Sequence, residues 1–289
     1  GIVNFGQRPF KYTQSGYKAL CTQNLDDTFS GDNVNNPSKY FDILKWTGTG
    51  SNDTNRKGLA FQPDLVWIKG RSGSTEGTII DAARGVTKSL NHAYTGAEYT
   101  ASSPHFEVQA FLSDGVTIGQ NGRVNTSSAT YVGWFWDAGT TAVTPSSSYD
   151  VTPSAQWVNA TAGFSITQFT NSSGDTSRSV PHGLGAKPDL LILKRTGGTS
   201  DWSVFTDAID GSYDKLLLNT NGTKSDSSFT IFNNNTFHCE ESGSTTWIAY
   251  AFTSIPGYSM VGSYEGNGNN EGPFIHTGFK VRYILTKNV

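Results

Sequence analysis

The chain has 289 residues, a formal net charge of −3, 35% hydrophobic, 12% aromatic and 16% charged residues. That length suggests one large or two medium domains, and the charged share lies well below the roughly 25% of an average soluble domain. The charge excludes the basic footprint of a nucleic-acid binder or of a protein held on an anionic membrane, and the aromatic content argues against disorder.

In chain order, FDILKWTG (Phe41–Gly48), DLVWIK (Asp64–Lys69), TIIDA (Thr78–Ala82), VQAFLSDGVTIG (Val108–Gly119) and TYVGWFW (Thr130–Trp136) read as strands. Each is short, rich in β-branched and aromatic residues, and bounded by Gly, Asn, Asp or Ser. The nearest approach to a helix, Asp81–Leu90, is broken by Gly85. The same phrases then return in the same order: FSITQFTN (Phe164–Asn171), GLGAKPDLLILKR (Gly183–Arg195) against GLAFQPDLVWIKG (Gly58–Gly70), FTDAIDG (Phe205–Gly211) and TWIAYAF (Thr246–Phe252). Collinear blocks of this kind are a duplicated domain with loop insertions. YSMVGSYEG (Tyr258–Gly266) and TGFKVRYILTK (Thr277–Lys287) open a third copy, expected to contribute its first two strands. The fold class expected is all-β, with tandem β-sandwich-like repeat domains at 39–140 and 163–256. A linker is expected at 141–162, and the incomplete third unit at 257–289.

The duplication tests the aromatics. Trp67 corresponds to Ile192, Trp134 to Tyr250 and Trp136 to Phe252; apolar exchanged for apolar is how core positions behave. Trp202 corresponds to Glu76, and Trp157 lies between the repeats with no counterpart. These two are the candidates for exposed aromatics, a covered structural indole being the other reading at each.

Catalysis requires a constellation, and the sequence offers none. His92, His105, His182, His238 and His276 are scattered, and GxSxG, HExxH, CxxC and Walker glycine motifs are missing. His238 and Glu240 share a strand face and would supply two metal ligands, but a solvated strand edge is the plainer account. Asp64 and Asp189 suit turn chemistry, and Asp81 and Asp207 recur in both copies, which points to a structural hydrogen bond. Cys21 and Cys239 fit no metal spacing; two free thiols and one long-range disulfide both stay open. No apolar run reaches the roughly 18 residues of a membrane-spanning helix. The expectation is a non-enzyme without cofactor or metal.

FQPDLVWIK, TYVGWFWDAG, NATAGFSITQFT and EGPFIHTGFK resemble an uncharacterised tandem β-repeat domain of tailed-bacteriophage virion proteins, often marine ones, over Tyr40–Lys287. Ile2–Leu25, with NFGQRPF followed by GYKALC, resembles the closing strand and tail of a SPRY (concanavalin-like) domain, which with a linker would occupy 1–38. The resemblance implies a piece of a longer chain with an extracellular, virion-borne role and supplies no catalytic residues. It implies a tail-fibre or appendage segment that binds host surface polysaccharide, which would make Trp157 and Trp202 the candidate glycan-binding residues, with other virion proteins as partners and a homo-oligomer, by family a trimer. A capsid decoration protein or a polysaccharide-depolymerising tailspike enzyme are the alternatives.

Overall fold

In the computed structural model, the two Pro-Asp turns each deliver the chain into a strand covered on both faces. The structure describes residues 34, 36–52, 54–139, 149–171, 178–227, 232–239 and 244–289. The SPRY-like segment Ile2–Leu25, Cys21 and Glu240 lie outside them.

The first copy contains β1 (Phe41–Thr47), β2 (Thr54–Lys57), β3 (Leu65–Gly70), β4 (Thr78–Asp81), β5 (Lys88–Ser89), β6 (Tyr99–Thr100), β7 (Val108–Leu112), β8 (Gly115–Ile118), the one-turn helix α1 (Gly122–Asn125) and β9 (Thr130–Trp136). The second contains β10 (Ala155–Asn159), β11 (Phe164–Asn171), β12 (Arg178–Pro181), β13 (Leu190–Arg195), β14 (Trp202–Thr206), β15 (Asp214–Leu217), β16 (Ser225–Asp226), β17 (Thr236–Cys239) and β18 (Thr245–Phe252). The central sheet of the first copy runs β1-β9-β3-β4. The seven-stranded sheet of the second runs β10-β11-β18-β13-β14-β15-β16, so its second to fifth strands, β11-β18-β13-β14, repeat that order. Register repeats too. Leu65 and Trp67 lie opposite Trp136 and Trp134, while Leu190 and Ile192 lie opposite Phe252 and Tyr250. Outer sheets β2-β8-β7 and β12-β17 complete the two copies.

Four layers result, with three cores between them. Val66, Ile68 and Phe135 point into the first copy's own core, against Val108, Val116 and Ile118. Leu191, Leu193 and Trp247 point into the second copy's core, against Val180 and Phe237. The alternate residues Leu65, Trp136, Ile192, Trp202, Ile248 and Tyr250 meet in a third core, between the two central sheets. Side chains alternate along a strand, so a strand between two cores must be apolar on both faces. That is why DLVWIK and DLLILK read as unbroken hydrophobic runs.

The flanking letters recur for an equally local reason. The Asp64 N–H donates to the Trp136 carbonyl (2.8 Å) and its Oδ2 accepts from the Ala138 N–H (2.9 Å). Asp189 repeats both bonds, to the Phe252 carbonyl (2.8 Å) and from the Ser254 N–H (2.6 Å). Each aspartate thus fixes the exit of the neighbouring last strand. Each closing lysine spans the hairpin that follows: Lys69 Nζ donates to the Thr75 carbonyl, and Lys194 Nζ to the Ser200 carbonyl at 2.7 Å.

Two expected boundaries shift. Part of the expected linker, Ala155–Asn159, is an edge strand that pairs with β11. The expected opening strands of a third unit are not formed: 257–289 contains no strand among the described residues. A strand requires a ladder partner for its N–H and C=O groups, and here the segment packs through side chains instead. The Tyr283 ring sits 5.9, 5.6 and 5.6 Å from Phe41, Trp134 and Trp136, and Arg282 pairs with Asp42 at 2.8 Å.

Candidate binding cleft

The two central sheets are joined by polar contacts as well as apolar ones. The Tyr250 hydroxyl donates to Asp81 Oδ2 (2.6 Å), which also accepts from Arg84 Nε (2.7 Å), and all three side chains are buried. Lys194 Nζ donates to the Thr95 carbonyl (2.9 Å), and the Ser200 N–H to the same oxygen (2.9 Å). The Glu98 N–H donates to the Thr196 carbonyl (3.0 Å). The loop between β5 and β6 is therefore gripped by the second copy.

Trp202 belongs to this seam, which corrects the expectation of an exposed indole there. It is 0% exposed, packed in the shared core, and its Nε1 donates to the Asn91 carbonyl (3.0 Å). The physical reason is that β14 faces the other copy's central sheet, a neighbour that no repeat-by-repeat comparison supplies. Trp157 stands on edge strand β10, opposite Ile166, half-buried with one flank against the shared core. The two tryptophans do not form a common site.

Beside the seam lies a cleft of about 490 Å³ lined by Thr75, Glu76, Tyr99, Asn121, Gly122 and Arg123. Arg123 donates through Nε (3.1 Å) and Nη2 (2.8 Å) to Glu76 Oε2, and through Nη1 to Glu107 Oε1 (3.2 Å). Asn91 Nδ2 adds a third donor to Glu76 Oε2 (3.0 Å). Glu107 is buried, which pushes its carboxyl above the ordinary carboxylate range against the pull of Arg123. Tyr99 on β6 is 52% exposed. Behind the cleft, the Trp67 indole donates to His92 Nδ1 (3.1 Å); burial, and then the Lys69 charge, lower that imidazole to about 4. A neutral ring with an accepting Nδ1 fits that bond.

Sequence reasoning missed Tyr99, Glu76 and Arg123. One signal was present: Tyr94 and Tyr99 occupy a loop whose counterpart, Leu218–Asp226, carries no aromatic residue. A second depression, of about 670 Å³, is lined by Tyr149, Ser179, Lys187, Phe232, Asn233, Asn234, Asn235 and Thr236. It borders segments outside the described residues. Among the described residues no group of three or more His, Cys, Asp or Glu side chains is placed to hold a metal ion.

Residues 36–289 match the family described as Domain of unknown function (DUF7483). No curated protein and no solved structure matches the chain.

Proposed function

From the premise that the chain belongs to the DUF7483 family, a domain of unknown function, we propose that it is a structural and adhesive segment of a bacteriophage virion, binding surface carbohydrate of the host. The observation that carries this reading is the cleft at Glu76, Tyr99 and Arg123. It combines an exposed aromatic face with hydrogen-bonding groups, the pairing that suits the apolar C–H faces and the hydroxyls of a sugar. The cleft sits on a four-layer β-stack whose copies share a core. Single sites of this kind bind weakly, so attachment comes from several copies on one particle.

A binding role is favoured over a depolymerase because Glu76 and Glu107 share one guanidinium. A glycosidase requires two carboxylates free to act as acid and as base or nucleophile, roughly 5–10 Å apart across the scissile bond. Immunogold labelling of virions, with a glycan array probed by the purified chain, tests the proposal. Label on tail appendages and binding to saccharides support it. No label on the particle and no saccharide bound would overturn it, and reducing-sugar release from host polysaccharide would move it to the enzyme class.

A further inference from the structure

We propose that the cleft selects a neutral sugar over an acidic one; this rests on the carbohydrate-binding reading and narrows it to a ligand class. Two carboxylates and two cations belong to the cleft lining or bond to it. The carboxylates of Glu76 and Glu107 stand against the Arg123 guanidinium and the Lys69 ammonium, which is tied to the Thr75 carbonyl. They cancel. A uronate, sialate or sulfate needs a cation not already engaged, and recognition of such anions rests on a free guanidinium fork. Here that fork already faces two carboxylates.

What the cleft offers is the pattern of a hydroxyl. Glu76 Oε2 receives its three donors from Asn91 and Arg123, whereas Oε1 accepts no bond among the described residues, on a side chain 38% exposed. A guanidinium has five N–H groups. Those of Arg123 bonded to Glu76 and Glu107 leave one on Nη1 and one on Nη2. A sugar hydroxyl donates to a carboxylate oxygen and accepts from a guanidinium N–H, so adjacent hydroxyls of one ring fit adjacent atoms of this pair. The exposed Tyr99 ring supplies the apolar wall.

The site is also held before any ligand arrives. The Asn91 side-chain amide donates to Glu76 while its backbone carbonyl accepts from the buried Trp202 indole. The carboxylate is therefore oriented by the second copy, which lowers the ordering cost that weakens most sugar sites.

The experiment is an array of glucose-, galactose- and mannose-terminated oligosaccharides beside glucuronate-, sialate- and sulfate-bearing ones. It is probed with the full chain and with Tyr99→Ala and Tyr99→Phe, and the melting midpoint is recorded for each. The expected result is binding among the neutral members, weakened about tenfold or more in Tyr99→Ala and kept in Tyr99→Phe, with all three midpoints alike. Binding of acidic members alone would overturn the ligand class but leave the adhesive reading standing. Neutral binding indifferent to Tyr99→Ala would overturn the assignment to this cleft. Binding to nothing on the array would overturn both this inference and the adhesive reading.

Discussion

Tyr250 stands where the first copy has Trp134, and the exchange puts a hydroxyl against Asp81 across the seam. Removing it leaves a buried carboxylate one donor short. Tyr250→Phe is therefore expected to lower stability by about 1–3 kcal/mol, read from the urea midpoint at unchanged m-value. Trp202→Ala belongs with it: a fully buried indole in the shared core is expected to cost about 3–5 kcal/mol. Trp157→Ala, on a half-buried edge position, should cost clearly less. Repeat comparison separated Trp202 from the core positions because its counterpart is a glutamate. The partner that buries it is the other copy, and sequence carries no marker for that contact. Asp64 gives a pH signature. Burial, and secondarily the Asp137 carboxyl, push it up to about 8, against the Ala138 N–H bond that favours its ionised form. The folded chain then holds a proton that the unfolded chain has released. The stabilisation is complete below the unfolded value near 4 and is lost as pH rises toward 8. His92, lowered to about 4, acts in the opposite sense, but only up to about pH 6.5. Between about pH 6.5 and 7.5 the melting midpoint should fall in the wild type and stay flatter in Asp64→Asn, which mimics the protonated carboxyl. A slope that survives the substitution would contradict this assignment.

At the scale of the element, the strand phrases and their order were legible because each strand between two cores must be apolar on both faces. Trp67 lies opposite Trp134 as Ile192 lies opposite Tyr250, so the correspondence read from the sequence recurs in register. Less legible were β10, whose strand character comes from pairing with β11, and 257–289, whose repeat-like sequence finds no ladder. Tyr99, Glu76 and Arg123 escaped notice because they come from three separate segments, and their meeting depends on the β3–β4 hairpin, β6 and α1 lying side by side. Tyr283 over Phe41, Trp134 and Trp136 is the aromatic anchor of the terminal segment. Tyr283→Ala is expected to free it, so limited trypsin cleavage after Lys280 and Arg282 should accelerate while the repeat body stays intact. An unchanged cleavage rate would show that other contacts hold the segment.

On the scale of the whole molecule, duplication produced two similar units, and the shared core makes them one body. Leu65, Trp136, Ile192, Trp202 and Tyr250 are covered only because the central sheets face each other; apart, each unit would expose that face to water. Stability of either copy therefore depends on its neighbour, and Ile192→Ala, expected to cost about 2–5 kcal/mol, should lower the melting of both together. Differential scanning calorimetry of the wild type and Ile192→Ala tests this most directly. One transition, with calorimetric and van't Hoff enthalpies in agreement and moving as a whole in the variant, is the expected result. Two separate transitions, only one of them shifted by Ile192→Ala, would contradict it.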